Sequence, residues 1–194
     1  MTSGPLPIGG ASLLRLRGDN LGKVARDREF VPMNLVGVRL EMPSNAPVVL
    51  LREVEGARYL PIWIGAVEAQ AIVVALEKEE FPRPLTHDLL RLIVEGLGAS
   101  VDRIVVTELR EQVFYADLVL ILGGRHIHVG SRPSDALALA ARTAAPIYVA
   151  EAVLEHAAIE IAEDEDEDTV IQRFREALED VTVEDFLDPP SQTG

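Results

Sequence analysis

Strand-like and helix-like periodicities follow one another along this chain in blocks, and that order leaves few architectures open. Residues 36–42 alternate apolar and polar with period two, a Pro-bounded loop leads to a second strand at 48–54, and the Glu55-Gly56 turn leads to a third at 59–64. At Gly65 the period changes. Val67, Ala71, Val74 and Ala75 recur at helical spacing to about Glu80, with Glu68 three residues after the capping glycine. Phe81-Pro82-Arg83-Pro84 stops this helix, and Thr86 caps a second one carrying Leu89, Leu90, Ile93, Val94 and Leu97, which ends at Gly96–Gly98. Three more strands follow at 103–109, 113–121 and 126–130, then a helix at 134–143 and a short buried strand at 147–149. Runs of strands and then helices predict an α+β domain with antiparallel or mixed strands and three main helices. Each half has three strands leading to a helix, a weak echo of the kind that an internal β-β-β-α duplication would leave.

Charge divides the chain further. The formal net charge is −14. Residues 163–194 hold 12 acidic and 2 basic side chains, so most of it lies there. The acidic run 163–168 reads as a linker, followed by Val170, Ile171, Phe174, Leu178 and Val181 at helical spacing, an amphipathic helix that docks by its apolar stripe. Residues 1–32, rich in Gly, Pro and Arg, read as a flexible extension, and Met33 as an alternative start. The working division is therefore 1–32, a central domain at 33–162, and an acidic linker with helix at 163–194. No apolar run reaches the roughly 18 residues of a membrane span, and the start lacks a signal-peptide pattern, so the expected location is cytoplasmic. Absence of cysteine excludes disulfides, thiolate zinc sites and a cysteine nucleophile. Nothing resembles the basic footprint of a tight nucleic-acid binder, so any such contact would be local and weak.

Candidate chemistry gathers at helix starts, where unpaired backbone N–H groups and the positive dipole end favour anions. Arg83-Pro84-Leu85-Thr86-His87-Asp88 offers a phosphate grip in Arg83, an acid, base or ligand in His87, and a cation ligand in Asp88. Arg132-Pro133-Ser134-Asp135 offers an anion site in Arg132, with Ser134 or Asp135 as the cap. Each pattern also reads as ordinary capping. Glu68 is a third acid near a helix start; were the three acids to converge, they would suit Mg²⁺ or Mn²⁺, which prefer oxygen ligands. His126 and His128, two apart on a strand, share a face and form a second, weaker candidate for a metal. Trp63 reads as core or interface. Gly-rich phosphate loops, G-x-S-x-G elbows and His-Glu-x-x-His helices are missing.

Taken together, Leu60-Pro-Ile-Trp-Ile-Gly65 with Glu68-Ala69, Arg83-Pro-Leu-Thr-His-Asp88, Val113-Phe-Tyr-Ala116, Arg132-Pro-Ser-Asp-Ala136 with Ala141-Arg142, and Pro146-Ile-Tyr-Val149 closely resemble the bifunctional nuclease family. The resemblance covers about residues 33–160, and the acidic tail resembles that of actinobacterial-type members. It implies an α+β fold, a homo-oligomer with a dimer favoured, and hydrolysis of phosphodiester bonds in DNA and RNA, and the low basicity of the chain predicts that these are bound weakly and with little sequence preference. On that reading Asp88 and Asp135, with Glu68, hold Mg²⁺ or Mn²⁺; Arg83 and Arg132, with Ser134, bind the phosphate; and His87 activates water or protonates the leaving oxygen. The rival is a non-catalytic oligomeric interaction or regulatory module, in which the same residues cap helices and line a subunit interface.

Overall fold

Two antiparallel meanders, one strand inserted between them and a short strand at each edge make the sheet. The computed structural model describes residues 14–15, 30–41 and 44–160. In chain order the elements are β1 (Leu14–Arg15), β2 (Phe30–Glu41), β3 (Ala46–Glu53), β4 (Arg58–Trp63), α1 (Ala66–Leu76), α2 (Thr86–Gly96), β5 (Ala99–Arg110), β6 (Val113–Leu122), β7 (Arg125–Ser131), α3 (Pro133–Thr143), β8 (Ile147–Ala150), α4 (Glu151–Ala157) and β9 (Ile159–Glu160). The sheet order is β1-β7-β6-β5-β8-β2-β3-β4-β9. β8 joins the two meanders, running parallel to β5 and antiparallel to β2. Every other pairing is antiparallel, so the sheet is mixed and the class is α+β.

Alternation explains which strand faces meet the helices. On β3, Val49 and Leu51 join the main core, and on β4, β5 and β6 their counterparts are Leu60 with Ile62, Ile104 with Val106, and Ala116 with Leu118. Helix α3 lies against this face, with Ala136, Leu137, Ala138, Leu139 and Ala140 all buried. Five consecutive buried positions exceed one turn, so α3 is enclosed by β5, β6, α1 and α2, and its alanines let those neighbours approach closely. The two three-stranded blocks each lead into a helix, α1 and α3, and these pack together. Gly123 and Gly124, both at positive φ (57° and 76°), make the tight β6–β7 turn that the glycine pair predicts.

Several boundaries differ from the sequence reading. β2 starts at Phe30, and Phe30, Val31 and Pro32 pair with Ala150, Val149 and Tyr148 of β8, so the folded domain extends upstream of residue 33. Leu14 and Arg15 pair with Val129 and His128. Helix α4 was not expected; its seven residues are too few to show a helical period, yet Val153 and Leu154 are buried. Helix α1 buries Ala69, Ile72 and Val74, a face rotated from the expected one, leaving Val67 78% exposed. Residues 163–194, with the expected acidic linker and helix, lie outside the described residues.

Candidate functional site

Helices α1, α2 and α3 each carry an acid at the same place, three residues past the N-cap: Glu68 after Gly65, Asp88 after Leu85, and Asp135 after Arg132. The expected caps shift accordingly. Thr86 is the first residue of α2 rather than its cap, and neither Ser134 nor Asp135 caps α3, which starts from Arg132 with Pro133 in its first turn. Proline suits that position, where its missing N–H costs no helical bond.

The packing of α1 and α2 on α3 brings these starts together. Arg132 donates from Nε to Asp135 Oδ2 (2.8 Å), from Nη2 to Asp135 Oδ1 (3.2 Å), and from Nη1 to Glu68 Oε1 (2.8 Å). His87 Nε2 lies 3.4 Å from the same Asp135 Oδ1. One connected group, Glu68–Arg132–Asp135–His87, thus spans three helices. Glu68 is held below its ordinary value, first by a backbone hydrogen bond at its own residue and then by Arg132. A Cβ at Gly65 would run into the Glu68 carboxylate, so the glycine leaves room for the acid to fold back over the helix start. The Arg132 guanidinium is in turn raised, by Asp135 first and then Glu68.

Asp88 is engaged elsewhere. Its Oδ2 accepts from the Leu85 N–H (2.9 Å) and its Oδ1 from Arg142 Nε (2.6 Å). Burial opposes its ionisation, but the Arg142 and Leu85 hydrogen bonds outweigh that, and its carboxyl sits below its ordinary value. Arg142, only 6% exposed in its side chain, also donates from Nη1 to the carbonyls of Ala71 and Ala138, both at 2.8 Å. It therefore ties α1, α2 and α3 together behind the site. Sequence reasoning assigned Arg142 no role; its place in the Ala141-Arg142 motif was visible, but a lone arginine late in a helix reads as solvated charge.

The remaining candidates separate. Arg83 is exposed on the connector ahead of α2, with no hydrogen bond or ion pair among the described residues. Ser134 is buried at 6% exposure, so it offers no open surface to a ligand. His126 and His128 share one face of β7 as expected, yet each stands beside its own acid, His126 Nε2 3.6 Å from Asp102 and His128 Nδ1 3.3 Å from Asp117. Trp63 is 41% exposed and donates to Glu41.

A divalent cation needs oxygen donors that converge on one point. Here Glu68 and Asp135 converge on the Arg132 guanidinium, and Asp88 is taken by Leu85 and Arg142. Among the described residues no group of three His, Asp or Glu side chains could hold a metal ion. The three-carboxylate set drawn for Mg²⁺ or Mn²⁺ does not fit this arrangement. What the geometry offers instead is an imidazole aligned by a carboxylate, beside a guanidinium and at the N-termini of packed helices.

The chain is similar in sequence to known proteins. Residues 49–162 match the family described as the bifunctional nuclease domain. An uncharacterized protein of Mycobacterium tuberculosis is 45% identical over 161 residues, which cover 79% of this chain and 96% of that protein. Bifunctional nuclease 1 of Oryza sativa subsp. japonica is 28% identical over 116 residues, 57% of this chain and 35% of the plant protein. Bifunctional nuclease 2 of the same plant is 25% identical over 120 residues, 60% of this chain and 37% of its own length. With most of its described sheet and all four of its described helices inside the matched segment, this chain belongs to the bifunctional nuclease domain family.

Proposed function

We propose that this protein hydrolyses phosphodiester bonds of DNA and RNA at the junction of the three helix starts, and that it works as a homodimer. The observation that carries this reading is the meeting of His87 with Asp135, 48 residues apart in sequence, beside Arg132. Asp135 orients the imidazole, and His87 takes a proton from the attacking water as its oxygen bonds to phosphorus, then returns it to the leaving oxygen as the old P–O bond breaks. Arg132 faces the charge that builds on the phosphoryl oxygens, held in place by Glu68. The exposed Arg83 grips a neighbouring phosphate, while Asp88 acts indirectly by fixing the start of α2. No step here runs through a metal. One observation favours the rival reading of a non-catalytic interaction module: Arg132 is already neutralised by two carboxylates.

Cleavage of single- and double-stranded DNA and RNA by rigorously purified protein, with and without chelator, decides between them. His87→Ala and Asp135→Asn should each lower the rate by about a hundredfold or more with the fold intact. Asp117→Asn, away from the junction, should leave it unchanged. Equal rates in all three folded variants would point to a contaminating nuclease or another site. Loss of activity on chelation would bring Mg²⁺ or Mn²⁺ into the reaction and overturn the metal-free mechanism.

A further inference from the structure

Helix α2 is mounted with its apolar side outward. Its sequence predicts a core-facing stripe of Leu89, Leu90, Ile93, Val94 and Leu97, but only Val94 is buried. Leu89 is 52%, Leu90 37%, Ile93 49% and Leu97 71% exposed. The side turned to the rest of the domain is the polar one, carrying His87 toward Asp135 and Asp88 toward Arg142. Positions 89, 93 and 97 succeed one another by four residues with Leu90 beside them, so they form one continuous ridge without a charged side chain. This chain spends its best amphipathic pattern on a surface, and a contiguous apolar ridge rimmed by polar residues is the kind of patch that marks an interaction site.

We infer that this α2 ridge is the contact between two copies of the chain, in an isologous two-fold pairing of α2 with α2. The assignment deepens the dimer part of the proposed function and does not depend on hydrolysis. Size supports it. The four ridge residues expose on the order of 400 Å² of apolar surface, and a standard interface buries about 800 Å² per partner, of which a little over half is apolar. Chemistry supports it too, because a ridge with no charge carries no complement for a basic or acidic partner, whereas the same ridge on a second copy is its equal in shape and polarity. Pairing would also clamp α2, the helix that presents His87, from the side the domain leaves uncovered.

Sedimentation of the full chain across micromolar concentrations, with hydrogen exchange of residues 86–97, tests the assignment. Wild type should sediment as a dimer, and Ile93→Glu and Leu97→Glu, both at exposed positions, should sediment as folded monomers with faster exchange along α2. A dimer that survives both substitutions would move the interface elsewhere and overturn the assignment while sparing the dimer. A monomeric wild type would overturn both. A monomer whose α2 is protected until Phe174→Glu is introduced would give the ridge to the chain's own C-terminal segment, also overturning it. Nuclease assays of the same samples report on the hydrolytic reading separately.

Discussion

Arg142 shows how one residue can decide the geometry of a site it does not enter. It holds Asp88 and two helical carbonyls from a nearly dry position, so truncating it would leave a half-buried carboxylate without its partner. Arg142→Ala should cost about 2–4 kcal/mol in urea unfolding and lower cleavage through displacement of α2. Acid should act on the same pair. Asp88 and Glu53 both titrate below their ordinary values of 3.8 and 4.5, Glu53 chiefly through its hydrogen bond to Arg58. The unfolded chain then takes up protons at a higher pH than the folded one. Stability from these carboxylates is therefore complete above about pH 5 and drains away as pH falls through 4. Urea midpoints measured from pH 6 to pH 3 should fall, and the fall should be shallower in Asp88→Asn. None of this was legible in the sequence, because Asp88 beside Thr86 and His87 reads the same whether its partner is a backbone N–H, a metal or an arginine 54 residues away.

At the scale of elements, the sequence was most legible where periodicity and turn chemistry agree. The strands on either side of Gly123-Gly124, helix α3 behind Arg132-Pro133, and β8 all stand where alternation and breakers place them. Legibility failed where burial depends on a distant partner. The apolar stripe of α2 was plain, but its direction was not, since a helix cannot say from its own residues whether the domain or another molecule covers it. The meeting of Glu68 and Asp135 at Arg132, and the diversion of Asp88 to Arg142, were equally unreadable, because spacing along the chain says nothing about how α1 and α2 pack on α3. One turn is visibly suboptimal. Glu111 and Gln112, at φ 48° and 61°, hold the left-handed conformation that the β5–β6 hairpin requires. Replacing them with Asn-Gly should raise stability by about 1 kcal/mol, read as a shift in the urea midpoint with an unchanged slope.

Across the whole molecule, charge and topology set the terms on which the site works. A net charge of −14 repels polyanions, and on the proposed reading only Arg83 and Arg132 serve as local footholds. Binding of a short single-stranded DNA, followed by anisotropy over a salt series, should show a log–log slope no steeper than about −2, the mark of one or two phosphate contacts. No helix among the described residues is long and apolar enough to cross a membrane. Topology carries a consequence in time. The four residues of β8 are made after the two meanders, and they supply the only parallel pairing among the described residues as well as the partner of Phe30, 120 positions earlier. Until they arrive, the nascent protein is two unjoined hairpin stacks with open edges at β2 and β5, each a template for the wrong neighbour. A chain cut just short of residue 147 would be able to fold almost everywhere and able to close nowhere.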